Sequence, residues 1–217
     1  MKKRTIIIIT IISSILSLIM IFLSYFGITR YITLKFMNTE SYISNYNKLP
    51  KTKPKTIISI STKPDRITHI KSALNSILDQ TIRVDNIFLI IPQTDIDNNY
   101  KLPDHLKNSV TLFPTGKDYG EGGCNSVIPM LLYEKECDSI IISLMDNIIY
   151  GKDFIETMMT KAEQNPGKTL IDSKHTSMLV KPEYYDCSII NRDKDKYNDE
   201  WFLKNSIVVN YNENYKS

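Results

Sequence analysis

The sequence has few of the residues that usually bind metals or form disulfide frameworks, with three cysteines and three histidines among 217 residues. Cys124, Cys137 and Cys187 do not have the spacing of a metal site. Three cysteines cannot all pair with one another, so at most one disulfide could form. Three buried thiols are the simpler expectation. The sequence therefore excludes a cysteine-based metal site.

A strong excess of charge of one sign is also absent. The chain has 27 basic and 24 acidic side chains, which give a formal net charge of +3. Nucleic-acid-binding domains usually concentrate much more positive charge on one face. We therefore expect no nucleic-acid partner, and at this length we expect one globular domain with appendages.

The longest uncharged run lies at the N-terminus. After Lys2, Lys3 and Arg4, no residue from 5 to 29 is charged, and isoleucine and leucine dominate. At about 1.5 Å per residue this run makes a helix of roughly 36 Å, which exceeds a hydrocarbon core of about 30 Å. A cleaved signal peptide has a shorter apolar region, of about 7–15 residues. We therefore predict an uncleaved transmembrane signal-anchor helix over 5–29, preceded by a short cytoplasmic tail over 1–4.

The flanking charges predict the orientation of this helix. The basic cluster before it favours a cytoplasmic N-terminus, although Arg30 and Lys35 follow on the other side and reduce the contrast. We expect a single-pass type II membrane protein whose globular domain is lumenal or extracytoplasmic.

Two regions follow the predicted anchor. Residues 30–55 are polar, contain Pro50 and Pro54 between lysines, and lack sustained apolar periodicity, which predicts a stem or linker. Over 56–217, short apolar strands alternate with helical segments of about 10–15 residues. Strands that are apolar throughout, such as 86–92, are typical of a buried parallel sheet. The predicted fold class is therefore α/β, with a Rossmann-like, mostly parallel sheet and flanking helices.

Three stretches that can carry chemistry follow predicted strands, at residues 62–66, 118–123 and 145–150. In open α/β sheets, ligands bind in the crevice outside the carboxyl ends of the strands. We therefore expect the three stretches to meet at one site.

The first two stretches each allow a functional and a structural interpretation. Arg66 lies just past a strand and could meet a nucleotide phosphate; alternatively, Thr62 or Asp65 caps a helix and Pro64 shapes its approach. The glycine-rich stretch 118–123 precedes a helix and leaves backbone N–H groups for an anion, or it forms a flexible turn. Spacing alone leaves both alternatives open.

Carboxylates occur in the third stretch and again late in the chain. Asp146, with the amide oxygen of Asn147, could hold a divalent cation, because Mg²⁺ often binds one or two carboxylates plus phosphate oxygens. Asp199 and Glu200 could supply a general base, beside Trp201 for a sugar ring. The structural alternatives are a turn after a strand, the acidic first turn of a helix and a tryptophan in the core.

The order and spacing of these motifs resemble those of GT-A type nucleotide-sugar glycosyltransferases, most closely the small membrane-anchored members of the family 2-like group. That group carries, in order, a Thr-x-Pro-x-Arg strand end, a Ser-x-x-x-Gln-Thr helix end, an Ile-Pro strand end, an Asp-Tyr-Gly-Pro-x-x-Lys loop, an Asp-Asp-Asp-x-x-Tyr strand end and an Asp-Asp-x-Trp helix start. The matching residues, from about residue 56 to 211, are Thr62, Pro64, Arg66, Ser76, Gln80, Thr81, Ile91, Pro92, Asp118, Tyr119, Gly120, Asp146, Tyr150, Asp199 and Trp201.

The resemblance implies a transferase with a nucleotide-activated sugar, a bound Mn²⁺ or Mg²⁺ and a late carboxylate as base in an inverting reaction. The implied residues are Asp146 and Asn147 for the metal, Asp199 and Glu200 for catalysis, and for the nucleotide sugar Thr62, Pro64, Arg66, Asp118, Tyr119, Gly120 and Trp201. The chain departs from the pattern at several of its charged positions. Met145 and Asn147 stand where the pattern has aspartates, Glu121 and Cys124 replace its proline and lysine, and Asn198 replaces the first late aspartate.

Two functions stay open. The first is a membrane-anchored glycosyltransferase that moves a sugar from a nucleotide-sugar donor to a hydroxyl of a glycan, protein or lipid acceptor. The second is a catalytically inactive relative that keeps the anchor and the α/β core and acts as a scaffold for a partner protein. A third and less favoured alternative is an unrelated small membrane protein whose α/β pattern imitates the motifs.

Overall fold

The computed structural model describes residues 2–67, 69–97, 102–116, 124–173, 176–184 and 206–209. Within these ranges the strands are β1 (Thr56–Ser61), β2 (Asn86–Pro92), β3 (Thr111–Thr115), β4 (Ile140–Met145), β5 (Thr169–Asp172), β6 (Ser177–Val180) and β7 (Ser206–Val209). The α-helices are α1 (Lys2–Tyr25), α2 (Ile28–Phe36), α3 (Thr39–Tyr46), α4 (Lys71–Leu78), α5 (Gln93–Asp97), α6 (Asp104–Lys107), α7 (Cys124–Tyr133) and α8 (Phe154–Gln164). A short 3₁₀ helix follows β6 at Pro182–Tyr184.

The described strands form one sheet in the order β3-β2-β1-β4-β6-β5-β7. Neighbouring strands from β3 to β4 are parallel, β6 runs antiparallel to β4 and β5, and β7 is parallel to β5. Six of these seven strands therefore point the same way, and their carboxyl ends lie at one edge of the sheet. This confirms the predicted fold class, an α/β fold with a mostly parallel sheet and flanking helices.

Apolar clusters cover both faces of the sheet. Because successive side chains of a strand point to opposite faces, Ile58 of β1 packs with Leu74 of α4 and Ile155 of α8. On the opposite face, Ile57 packs with Val127 of α7. Burial on both faces explains why the central strands are apolar throughout rather than alternating.

Helices α2 and α3 occupy most of residues 28–46, which the sequence predicted as the last two residues of the anchor (to 29) and the first part of the stem (from 30). Leu34 is fully buried and Tyr46 nearly so. The side-chain amide of Asn75 in α4 donates to the Leu34 carbonyl at 2.9 Å, and the Tyr46 hydroxyl accepts the Val84 N–H at 2.8 Å. This range therefore contributes buried side chains and hydrogen bonds to the globular core, whose first strand begins at Thr56 as expected.

The N-terminal helix α1 is long and apolar enough, over Lys3–Tyr25, to cross a membrane by length and composition, and none of that stretch is buried against the rest of the chain. Gly27, with φ of 70°, separates it from α2. A left-handed backbone at this position favours glycine, because other residues are strained there. The expectation of buried thiols is wrong for Cys137, which is free and exposed.

Candidate functional site

The candidate site begins with a side-chain contact between the ends of β1 and β4. These strands are parallel neighbours in a register that pairs Ser61 with Met145, so Thr62 and Asp146 come next on each chain. The Thr62 hydroxyl donates to Oδ2 of Asp146 at 2.7 Å. Both residues are almost fully buried, with 2% and 5% of their surface exposed. A buried carboxylate needs such partners, since burying a charge alone is costly.

Arg66 provides the second partner of Asp146. A turn closed by the Arg66 N–H and the Lys63 carbonyl, at 3.0 Å, follows β1 and reverses the chain there. Pro64 occupies the second position of this turn, where its fixed φ is favourable. The turn places Nη2 of Arg66 2.9 Å from Oδ2 of Asp146. Thr62, Pro64 and Arg66, which the sequence assigned to one motif, therefore all contribute to the surroundings of one carboxylate.

The Arg66 side chain is 50% exposed, whereas the Asp146 side chain is 5% exposed. A guanidinium group has five N–H donors in a fixed planar arrangement. One of its nitrogens contacts Asp146, and the exposed half of the side chain faces solvent at the carboxyl edge of the sheet. Such a group can form paired, charge-assisted hydrogen bonds with a phosphate. The site can therefore bind an anion at the place where open α/β sheets bind ligands.

The described residues at this edge do not fit a carboxylate metal centre. Asp146 already accepts two hydrogen bonds on one oxygen, including one from a cationic group. Asn147 is exposed in the turn that follows β4. Asp172, at the end of β5, uses both oxygens to accept hydrogen bonds from Thr176 and one from the Ser177 N–H. No group of three histidine, cysteine, aspartate or glutamate side chains placed to hold a metal occurs in the part of the chain that the structure describes.

The segment after Asp146 is held by the three matched residues at the end of α4. Ser76 Oγ accepts the Tyr150 N–H at 3.0 Å. The Gln80 side chain donates to the Gly151 carbonyl and accepts the Ile155 N–H. The Thr81 N–H donates to the Lys152 carbonyl and its hydroxyl to Glu156. This motif therefore fixes the chain between the candidate site and α8.

Tyr150 connects the end of β4 with the start of β6. Its hydroxyl accepts the Met145 N–H at 2.8 Å and donates to the Thr176 carbonyl at 2.9 Å. Burial, together with the negative charges of Asp172 and Asp146, raises the pKa of Tyr150 far above its ordinary value. The hydroxyl therefore stays protonated and acts as a structural bridge beside the site.

Several predicted site residues lie outside the described ranges. These are Asp118, Tyr119, Gly120, Asp199, Glu200 and Trp201. The first three follow β3, which ends at Thr115 on the same edge of the sheet. Their roles stay predictions from the sequence.

Two residues that sequence reasoning did not assign to the site also support it. Arg30 of α2 donates to Asp79 at 2.8 Å and to the Tyr150 carbonyl at 3.0 Å. Asp172, at the end of β5, accepts hydrogen bonds from Thr176 and from the Ser177 N–H at the start of β6. Aspartate is a frequent turn residue because its side chain bonds nearby backbone, so its position at a strand end could have indicated Asp172, whereas no local signal marks Arg30.

This chain matched no protein-family model and no curated protein in the searches. Among solved structures, the chain is similar to 4-diphosphocytidyl-2C-methyl-D-erythritol synthase from Anaerococcus prevotii DSM 20548, with a TM-score of 0.42 and 12% sequence identity. The similarity covers 74% of this chain and 90% of that one.

Proposed function

We propose that the chain is a membrane-anchored glycosyltransferase of the GT-A type, which binds a nucleotide-diphosphate sugar at the carboxyl ends of β1 and β4. The observation that carries the proposal is the convergence of Thr62, Arg66 and Asp146, three of the motif residues, at that edge. The sequence resemblance supplies the substrate class, and the parallel sheet supplies the crevice in which such ligands bind.

In this proposal Arg66 binds the diphosphate. Asp146, which accepts a hydrogen bond from Thr62, orients the guanidinium, and the remaining donors of Arg66 meet phosphate oxygens. Hydrogen bonds to charged groups contribute about 1.5–3 kcal/mol each. The predicted residues Asp118, Tyr119, Gly120 and Trp201 would complete the donor site, and Asp199 or Glu200 would take the proton of the acceptor hydroxyl.

The divalent cation predicted from the sequence, Mn²⁺ or Mg²⁺ at Asp146 and Asn147, stays a prediction. A cation at Asp146 would compete with Arg66 for the same carboxylate. Because the described donor set does not fit a metal centre, the proposed reaction has no metal-dependent step. The positive charge that a diphosphate needs comes in this proposal from Arg66.

We place α1 in the membrane as a type II anchor, with the globular domain lumenal or extracytoplasmic. The length and apolar composition of α1 support a membrane span, and the basic residues at positions 2–4 favour this orientation. The acceptor is a hydroxyl of a glycan, protein or lipid on that side of the membrane.

A catalytically inactive scaffold is the second candidate. The ion pair between Arg66 and Asp146 favours this candidate. A single carboxylate that is already neutralised by an arginine is also expected in a site that has lost its catalytic activity. In that case the α/β core and the anchor would hold a partner protein and would not respond to nucleotides.

Thermal unfolding of the full chain in detergent micelles distinguishes the two candidates. The ligands are UDP-, GDP- and CMP-linked sugars, each with EDTA and with Mn²⁺, and the comparison protein is Asp146→Ala. A ligand at 100 times its dissociation constant stabilises by about 2.7 kcal/mol, which raises the midpoint of a domain of this size by roughly 5–10 °C. A rise with one nucleotide class that Asp146→Ala loses supports a transferase. A flat response in a well-folded protein supports the scaffold.

A further inference from the structure

The short helix α2 uses one face to dock on the globular domain. Arg30 pairs with Asp79 beyond the end of α4, and the Leu34 carbonyl accepts a hydrogen bond from Asn75 one turn earlier in α4. The two helices therefore run antiparallel. Leu34 is fully buried in this contact.

The other face of α2 is apolar and exposed. Ile28, Tyr31, Ile32 and Phe36 recur at the spacing of one helix face, and they are 38%, 42%, 46% and 72% exposed. Lys35 lies on the same face, with its ammonium 6.0 Å from the centre of the Tyr31 ring and 5.9 Å from that of Phe36. Aromatic rings and a long cationic side chain over an apolar face are typical of a helix in the membrane interface.

This face follows α1 closely along the chain. Only Phe26 and Gly27 separate the two helices, and Phe26 is itself 57% exposed. A helix separated by only two residues from a membrane-spanning segment cannot move far from the bilayer surface. Lys35 is the cation on this face, and the helix contains no acidic residue, which favours contact with anionic headgroups.

We infer that α2 is an interfacial helix that lies on the bilayer crossed by α1 and holds the globular domain against it. The apolar face formed by Ile28, Tyr31, Ile32 and Phe36 contacts lipid at the boundary between the headgroups and the acyl chains. Because Arg30 of the same helix donates to the Tyr150 carbonyl, the membrane-bound helix also supports the segment that follows Asp146. The inference rests on the membrane span of α1 and is independent of nucleotide binding.

Site-specific photocrosslinking of the full chain tests this arrangement. Benzoylphenylalanine is placed singly at Ile32, Phe36, Leu16 or Asp104, and each protein is reconstituted in phosphatidylcholine vesicles with and without phosphatidylglycerol. Leu16 reports whether α1 is in the bilayer, and Asp104, whose side chain is 95% exposed, reports the aqueous background. Adducts are identified by mass spectrometry.

The expected result is lipid adducts at Ile32, Phe36 and Leu16 and background at Asp104, with yields at Ile32 and Phe36 that rise with phosphatidylglycerol. Lipid adducts at Leu16 alone would overturn the inference while keeping the anchor. Protein adducts at Phe36 would assign the face to a partner chain or a second copy and would also overturn it. Background yields at Leu16 would remove the membrane span and the inference with it. None of these outcomes depends on the nucleotide-sugar panel, so the two proposals can fail separately.

Discussion

Nη2 of Arg66 lies 2.9 Å from Oδ2 of Asp146, across the neighbouring ends of β1 and β4. The pair joins a half-exposed cation to a buried carboxylate, and the Thr62 hydroxyl completes the surroundings of the same oxygen. A guanidinium held in this way has a fixed orientation before any ligand arrives, which reduces the ordering cost of binding.

Replacing Arg66 should weaken nucleotide-sugar binding. Arg66→Gln removes the charged donors that face the diphosphate, and a loss of about 1.5–3 kcal/mol corresponds to roughly 10- to 150-fold in dissociation constant. Titration calorimetry with the nucleotide sugar that stabilises the wild type measures the change. Lys63→Gln is the matched control, because Lys63 is an exposed cation three residues away. Equal affinities for the two variants would contradict the role of Arg66.

Removing the Tyr150 hydroxyl should destabilise the fold. Tyr150→Phe leaves the Met145 N–H and the Thr176 carbonyl without their partner beside the site, and an unsatisfied buried group costs about 1–3 kcal/mol. Urea unfolding measures this difference. Tyr133→Phe is the control, because the Tyr133 side chain is 50% exposed and such surface changes usually stay within about 0.5 kcal/mol. A Tyr150→Phe value as small as that of the control would mean that the hydroxyl bridge contributes little.

Shortening Leu34 should destabilise the globular domain, although it lies in the range predicted as a stem. Leu34 is fully buried, and Leu→Ala substitutions in a core cost about 2–5 kcal/mol. Ile32→Ala, two residues earlier on the exposed face, should change the free energy of unfolding much less. Urea titration of both variants in the same detergent tests the docking of α2. Equally small effects would indicate that α2 is not part of the folded unit.

The raised pKa of buried Tyr46 should lower the free energy of unfolding at high pH. Burial raises the pKa of Tyr46 to about 12, and the charge of Asp85 adds to this, while the Val84 N–H and Arg83 act in the opposite direction. Between the ordinary pKa of about 10 and this value, the unfolded chain loses the phenol proton while the folded protein keeps it. The free energy of unfolding therefore falls as the pH rises through that window.

Tyr46→Phe separates this effect from the loss of the hydrogen bond to Val84. The lost bond lowers stability by a constant amount, whereas the lost titration reduces the slope of stability against pH above about pH 10. Unfolding free energies of both proteins from pH 9 to 11.5 supply the comparison. Parallel curves would show that Tyr46 does not carry the alkaline sensitivity.

The strands could be predicted because buried strands of this sheet are composed mainly of apolar residues. Runs such as 86–92 are apolar and rich in branched residues, and proline marks the end of that strand. Helix α2 was missed because its docked face is formed by Arg30 and Leu34, which do not make an apolar stripe. Arg30 donates hydrogen bonds there to Asp79 and to the Tyr150 carbonyl. Because these partners lie far from Arg30 in the chain, the sequence around Arg30 does not indicate a docked helix face.

The sequence predicts the individual residues of the site, but it does not predict the ion pair between Arg66 and Asp146. Within its own motif, Arg66 indicates a nucleotide-binding residue and Asp146 a metal ligand. Their contact depends on β1 and β4 being neighbours, although β2 and β3 lie between them in the chain. It also depends on a register in which Ser61 pairs with Met145. Strand order and register are set by packing of the whole sheet, so the sequence could predict that the two stretches meet at one site but not that Arg66 pairs directly with Asp146.

The most direct test of Arg66 as the diphosphate-binding group is calorimetric titration of the wild-type chain with nucleotide-diphosphate sugars, first in EDTA and then with Mn²⁺. We expect saturable binding of one nucleotide class in EDTA, because Arg66 supplies the charge that meets the diphosphate. Binding that appears only with Mn²⁺ would contradict this role and would favour the metal site predicted at Asp146 and Asn147. Absence of binding under both conditions, in a protein that unfolds cooperatively, would contradict the transferase itself.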